Sequence, residues 1–550
     1  MTSDATHEGV HLVILHHGLW GNVNHVRFIA EQFKQRLGDR ILVYRAQANE
    51  SALTYDGVDI CGQRLVQEIH SVIKVIEAGG NIEEMKGQKH KSKKSKKDQS
   101  TATAPTKTTD QESLASGAAS TTSSTASTTR TKKVTQFSFL GYSLGGLIGR
   151  FAMGILELEG FFEKVKPMYF VTMATPHLGI RKPPKTTWSK VFNFLSSRML
   201  SRSGEQMQLI DDYIGGKPVL LVMSDPAGIF VQALAKFKRR AIYCNVANDR
   251  SVPFWTASFS DADPFTELET VEIQYSSGYS SLIESFEPQG IEELSRKREA
   301  QLKELESLSF SERTSLRLKA IPWRRYAFFG ILGPILIPVW IVIATSTISV
   351  QGYNSRRRTK PMVDTNPELD RVRDEALGTK SSDTVPPSPS RHRRLSLQRT
   401  VSHTNNDKSK TTTHITTFQN DTQSDSSVTL TINEPTPAHA KQSSSTSPQS
   451  SALSESTVET VTGGVSEEDQ APISYSFPHL KQLQPLGLLP VQVEISRNLN
   501  TLDWKKNIIH IEAMNAHASI VVRENRFSND GGIAAVQHAV DMFKDDGEDE

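Results

Sequence analysis

Gly141-Tyr142-Ser143-Leu144-Gly145 sets a serine between two glycines at the spacing Gly-x-Ser-x-Gly. The pattern alone is weak: about 0.2 chance matches are expected at this glycine and serine content. Its flanks strengthen it. The apolar run Phe137-Ser-Phe-Leu140 leads directly in, and a helix-like stretch with the small residues Gly145, Gly146, Gly149 and Ala152 leads out. That is the setting of a nucleophile elbow, a strained strand–turn–helix that lifts a serine hydroxyl above a sheet. Gly141 and Gly145 suit it because strand and helix backbones pass too close there for side chains. The helix N-terminus adds a positive dipole end.

A nucleophilic serine needs a base, and the base an orienting carboxylate. Asp249, in the polar loop Asn245-Val-Ala-Asn-Asp249-Arg-Ser-Val-Pro253, follows a strand-like run; Asp225, in Met223-Ser-Asp225-Pro226, is the alternative acid. His517 follows the strand-like Ile508–Ile511 and precedes a last helix around Ile533–Phe543. His510 within that strand and His538 within that helix are poorer loop candidates. His177 precedes both acids and breaks the order Ser, acid, His expected of such a sheet; it is expected to shape a turn. Two N–H groups must receive the oxyanion: Leu144, after the serine, and Leu19 in the glycine-bounded loop His17-Gly18-Leu19-Trp20-Gly21.

The elements that must hold these residues alternate. Strand signals at His11–Leu15, Arg40–Tyr44, Thr135–Leu140, Met168–Met173, Pro218–Met223 and Ala241–Val246 are interleaved with helical periodicity, as in Val26–Leu37 and Val58–Ile76. This predicts an α/β protein whose mostly parallel sheet carries helices on both faces.

Taken together, His17–Gly21, Gly141–Gly146, Ala174-Thr-Pro-His-Leu-Gly179, Asn248–Pro253 and Asn515-Ala-His517 resemble the lipase-like serine esterase family of α/β-hydrolases, most of all its fungal branch of lipid-droplet phospholipases and monoglyceride lipases. The resemblance implies an α/β-hydrolase fold, lipid-ester hydrolysis without metal or organic cofactor, and Ser143, Asp249 and His517 as the triad. The rival expectation is a catalytically inactive hydrolase-fold membrane tether or scaffold, which would have no use for all three.

Composition locates what surrounds the site. The 550 residues are 37% hydrophobic, and with the 33 glycines counted about 43%, below the usual 45–50% of globular chains. The deficit sits in two tracts expected to be disordered insertions: 86–133, rich in Lys, Ser and Thr, and 359–470, rich in Ser and Thr. They separate the hydrolase pieces 8–85, 134–290 and 473–545. Within 359–470, Arg391-His-Arg-Arg-Leu-Ser396 matches a basophilic kinase site with Ser396 as acceptor; an unmodified run is the other reading. A net charge of +2 argues against nucleic acid as a partner, and two cysteines exclude a disulfide scaffold. The polar N-terminus carries no secretory signal, so a cytosol-facing protein is expected.

A charged, helix-forming segment, 291–326, leads into 327–350, which carries no charged residue. Length alone fits a membrane span. However, Ser143 and Asp249 precede this segment and His517 follows it, so a single span would part the triad across the bilayer. Gly330, Gly333, Pro334 and Pro338 favour a bent or re-entrant path. Arg324 and Arg325 before and Arg356–Arg358 after draw both ends to the cytosolic side. A membrane hairpin or monolayer insertion, as on a lipid droplet, is expected over a packed lid or a span.

Overall fold

The computed structural model describes residues 8–82, 85, 132–182, 187–199, 201–288, 345–363, 366–376 and 486–544, with 296, 299, 303 and 342 as single positions. All the continuous stretches belong to one compact unit, Met1–Ser390 with Ala471–Glu550.

The strands are β1 (Glu8–His16), β2 (Ile41–Arg45), β3 (Lys132–Tyr142), β4 (Lys166–Met173), β5 (Arg239–Asn245), β6 (Val271–Tyr275), β7 (Leu282–Pro288) and β8 (Lys505–Ile509). They form one sheet in the order β2-β1-β3-β4-β5-β8-β7-β6. The stretch from β2 to β8 is parallel, while β7 pairs antiparallel with both β8 and β6. β8 arrives last in the chain yet lies between β5 and β7, so the sheet is complete only once the C-terminal piece is in place.

Both faces are covered, as a buried parallel sheet requires. Leu12, Ile14, Phe137 and Phe139 point into one apolar core with the helices α2 (Val58–Glu77) and α3 (Leu144–Leu158). Val13, Leu15, Leu140 and Tyr142 point into the other, against α1 (Arg27–Leu37) and the C-terminal helix Asp530–Asp541. Leu12 and Val13, or Phe139 and Leu140, enter opposite cores because successive strand side chains alternate faces. On the second face Arg36 meets the Asp541 carboxylate through Nε, 2.8 Å from Oδ1, and through Nη2.

Several sequence expectations are corrected. Pro218–Met223 is not a strand: Val219–Val222 is a short helix with Val219, Leu220 and Val222 buried in the first core. A short apolar run does not distinguish a buried strand from a buried helix turn. The edge strand β6 and its neighbour β7 lie beyond the strands expected. β3 begins at Lys132, where it pairs with Glu8, two residues inside the tract assigned to 86–133. Likewise 359–376 is not wholly an insertion: residues 345–363 form a helix, Pro367–Ala376 forms another, and Leu369 and Val372 are buried in the first core. Most of 327–350 and Ser396 lie outside the described residues. Among the described residues no helix is long and apolar enough to cross a membrane.

Candidate active site

Ser143 follows β3 and precedes α3 with φ 56° and ψ −128°. A non-glycine residue in that region costs on the order of 1–3 kcal/mol and persists only where its surroundings hold it. Here the Ser143 N–H donates to the Met173 carbonyl (2.9 Å), and the Ser143 carbonyl accepts from Thr175 Oγ1 (2.9 Å). A Cβ on Gly141 would lie 2.6 Å from Gly146 Cα, and one on Gly145 would lie 2.6 Å from the His16 carbonyl oxygen, so both elbow glycines sit where only glycine fits.

Asp249 lies in the loop after β5, beyond Asn248, which takes a positive φ of 56°. Its Oδ1 accepts from the N–H groups of Ser251 (3.0 Å) and Val252 (2.8 Å). That fixes the carboxylate and leaves Oδ2 for the histidine. His517 lies in the short helix Ala516–Ser519, capped by the Asn515 side chain. Its Nδ1 is 2.9 Å from Asp249 Oδ2, and its Nε2 is 3.0 Å from Ser143 Oγ. An ionised Asp249 only accepts, so Nδ1 carries the proton and Nε2 presents a lone pair to the serine hydroxyl.

The geometry thus brings together Ser143, Asp249 and His517. It does not bring in Asp225, whose Oδ1 caps the Ala227 N–H at 3.0 Å in an exposed turn. His177 is fully buried behind the elbow, with Nε2 2.9 Å from Thr172 Oγ1, and burial pushes its pKa well below the usual value. It shapes the turn after β4, as expected from chain order.

On the first loop, Gly18 lies against the serine: a Cβ there would be 2.6 Å from Ser143 Cβ and 3.0 Å from Oγ. This sets the Gly18–Leu19 peptide beside the nucleophile. Among the described residues, neither Leu19 nor Leu144 spends its N–H on a backbone or side-chain acceptor. No group of His, Cys, Asp or Glu among them is arranged to hold a metal.

Sequence reasoning missed the residues that hold the triad together. Tyr142, the first variable position of the elbow, donates its O–H to the His517 carbonyl (2.8 Å) and sets its ring 5.1 Å from the imidazole. Asn248 Nδ2 donates to the Glu512 carbonyl (3.0 Å). Asn245, at the end of β5, bonds the backbone of Ile511. Nothing in spacing or composition marks these positions; each acts on main chain far away in sequence.

A mostly parallel α/β sheet carrying serine, acid and histidine in that order at its carboxyl edge is an α/β-hydrolase. Residues 6–92 and 81–262 match the family described as "Putative serine esterase (DUF676)". The yeast "Putative lipase ROG1" (Saccharomyces cerevisiae) is 38% identical over 143 residues, 26% of this chain and 20% of the relative. "Putative lipase YDL109C" from the same yeast is 37% identical over 127 residues, 23% of this chain and 19% of the relative. "Putative lipase C4A8.10" from Schizosaccharomyces pombe is 33% identical over 131 residues, 23% of this chain and 16% of the relative. The matched stretches span about a fifth or less of those relatives. A thioesterase of prodiginine biosynthesis from Streptomyces coelicolor covers 45% of this chain and 70% of its own, at 12% identity and a TM-score of 0.21.

Proposed function

We propose that this chain is a serine carboxylic-ester hydrolase that cleaves acyl esters of lipids, phospholipids or monoacylglycerols, at a cytosol-facing membrane or lipid-droplet surface. The observation that carries the reading is His517, within hydrogen-bond reach of both Ser143 Oγ and Asp249 Oδ2.

His517 Nε2 takes the Ser143 proton as Oγ attacks the ester carbonyl carbon. The developing oxyanion is received by the N–H groups of Leu19 and Leu144. His517 then gives its proton to the leaving alcohol, and the acyl group stays on Ser143. Water, deprotonated by His517, attacks the acyl-enzyme and releases the fatty acid. Asp249 keeps Nδ1 protonated and steadies the imidazolium between the two proton transfers. No metal or organic cofactor enters these steps.

Lipid is the favoured ester class because the uncharged run 327–350, with arginines at both ends, joins the helix 345–363 that lies on the hydrolase unit. The test is hydrolysis by the full-length protein of a panel of monoacylglycerols and phospholipids in vesicles, with Ser143→Ala beside it. Fatty-acid release that the variant abolishes while keeping its fold is the expected result. Hydrolysis retained by folded Ser143→Ala, or failure of the native protein to react with a fluorophosphonate, overturns the reading in favour of a tether.

A further inference from the structure

Two buried histidines sit at the end of β1, outside the triad and unused by the steps above. His16 and His17 are both fully enclosed, and burial lowers their pKa values, to about 3 and about 4 respectively. Both are therefore neutral at working pH, with one protonated ring nitrogen each. Their contacts show which one.

His16 Nδ1 lies 2.7 Å from the His17 carbonyl oxygen, and His17 Nδ1 lies 3.0 Å from the Gly18 carbonyl oxygen. A carbonyl only accepts, so Nδ1 bears the hydrogen in both rings. On the far side of His16, Asn49 Nδ2 donates to Nε2 (3.2 Å) and to the Cys61 carbonyl (2.8 Å), which agrees with a bare Nε2. Each imidazole thus holds the carbonyl of its own residue's following peptide partner: His16 the carbonyl of residue 17, His17 that of residue 18.

The second contact matters for the chemistry. The Gly18 carbonyl also accepts from the Gly21 N–H at 3.0 Å, so two donors fix its direction. A trans peptide is planar, and the N–H at its other end points opposite to the carbonyl. With the Gly18 carbonyl turned toward His17 and Gly21, the Leu19 N–H points away from them. The same peptide begins at Gly18, which lies against Ser143. A rotated peptide would present a carbonyl where an anion must be received.

We propose that His17, backed by His16 and Asn49, is a positioning residue that presets the second oxyanion donor by holding the Gly18 carbonyl so that the Leu19 N–H faces the reacting oxygen. This rests on the serine-esterase reading. It predicts that His17 acts on the transition state through Leu19 and does not touch the substrate.

The test uses the full-length protein with p-nitrophenyl butyrate as substrate and an alkyl trifluoromethyl ketone as tetrahedral mimic. His17→Phe keeps a buried ring and removes the donor. His17→Asn restores an N–H at the Nδ1 position, whereas His17→Gln carries its amide one bond farther out. Losing one oxyanion donor outright costs about 10²–10³ in kcat. For His17→Phe, kcat is expected to fall roughly 30-fold with KM within about twofold, and the ketone's inhibition constant to rise by the same factor. His17→Asn is expected to recover to within about fivefold of wild type, and His17→Gln is not. If His17→Phe fails to fold, the Asn and Gln variants decide. Equal activity of Asn and Gln, or unchanged kcat in folded His17→Phe, overturns the inference while Ser143→Ala remains dead. Hydrolysis retained by Ser143→Ala overturns the underlying reading as well.

Discussion

The side chain of Asn245 grips the backbone of Ile511 at both ends: Oδ1 accepts the Ile511 N–H at 2.7 Å and Nδ2 donates to its carbonyl at 3.0 Å. Asn245 ends β5 and Ile511 lies two residues past β8, so the pair continues the ladder between those strands, beside Val246 N–H to Ile509 carbonyl at 2.9 Å. Four residues after Asn245 comes Asp249, and six after Ile511 comes His517. The buried Asn245 amide thus helps to set the spacing between acid and base, beside Asn248 on the Glu512 carbonyl. Asn245→Ala removes this partner from the Ile511 N–H and from the carbonyls of Ile511 and Ala247, and each buried group left unpaired costs about 1–3 kcal/mol. A loss of about 2–4 kcal/mol in urea unfolding is expected, with kcat lowered in the protein that remains folded. Asn245→Asp keeps only the acceptor and is expected to fall between the two. An unchanged unfolding midpoint in Asn245→Ala would refute this.

The assignment of the acid can be tested without disturbing the loop. Asp249 Oδ1 is occupied by two backbone N–H groups, so an asparagine there keeps its carbonyl oxygen on them and turns Nδ2 toward His517. Facing a donor, the imidazole must bare Nδ1 and protonate Nε2, the wrong tautomer for a base. Asp249→Asn is expected to lower kcat by about 10³–10⁴ with little change in melting temperature. A loss below tenfold would remove Asp249 from the triad.

Asp225 supplies the matching control. Among the described residues its carboxylate accepts from the Ala227 N–H and makes no bond to His517. Asp225→Ala should retain kcat within about twofold, at a stability cost of about 1 kcal/mol for the lost turn bond. A collapse in kcat with intact folding would reinstate it as the acid.

Much of this site was legible in sequence because it is local. The elbow is five consecutive residues between a strand and a helix, and chain order separated His517 from His177. What escaped notice depends on pairing. Val271-Glu-Ile-Gln-Tyr275 does alternate apolar and polar, yet it is an edge strand only because β7 lies beside it. Val219–Val222 is wholly apolar, like a buried strand, and packs instead as one helical turn in the first core. Tyr142 and Asn245 read as filler until the 359–470 stretch is crossed and their partners at 511 and 517 arrive. The helix Pro367–Ala376 was hidden by its charged composition, its buried apolar anchors among the described side chains being Leu369 and Val372.

Mild acid should loosen the fold before it titrates ordinary carboxylates. Burial holds His16 at about 3, and His17, His25 and His538 at about 4, with His177 lowered as well. Their unfolded pKa is near 6.5. Below that pH the unfolded chain takes up protons that the folded chain refuses, so stability falls as pH drops from 6.5 toward 4. Each fully buried histidine contributes a slope approaching 1.4 kcal/mol per pH unit, on the order of the linkage limit. Asp211 and Asp263, pushed up to about 6 by burial, act in the opposite sense below pH 6, but they are outnumbered. Urea midpoints should therefore decline from pH 7 to 5, and a flat profile would refute the burial of these rings.

The helix 345–363 reaches the turn beside the His17–Gly21 loop through the Asp56 carboxylate and through Arg358 Nη2, which donates to the Ala52 carbonyl (3.3 Å). Asp56 is fully buried and accepts from Arg64 Nη2 (2.6 Å), Ser355 Oγ (2.6 Å), and Arg358 Nε (2.9 Å) and Nη2 (2.6 Å). It closes the turn Ser51–Tyr55, where Thr54 Oγ1 accepts the Trp20 N–H (3.1 Å) and Ser51 N–H donates to the Gly21 carbonyl (2.8 Å). Removing one partner of a buried ion pair costs about 3–5 kcal/mol. Arg358 is a third exposed and Arg64 stays behind as a counter-charge, so Arg358→Ala should cost less, about 2 kcal/mol. Among the described residues the helix then keeps Ser355 on Asp56, Arg356 on Glu205 Oε1 (3.0 Å), the Gly352 carbonyl on Ser201 Oγ (3.3 Å) and Met362 Sδ against Arg64 Nη2 (3.8 Å), and tryptic cleavage at Arg356 and Arg357 should accelerate well before global unfolding. If cleavage there is no faster than in wild type, the Asp56 contact does not anchor the helix. If cleavage is faster but kcat is unaltered, the turn Ser51–Tyr55 holds the oxyanion loop without the helix's help.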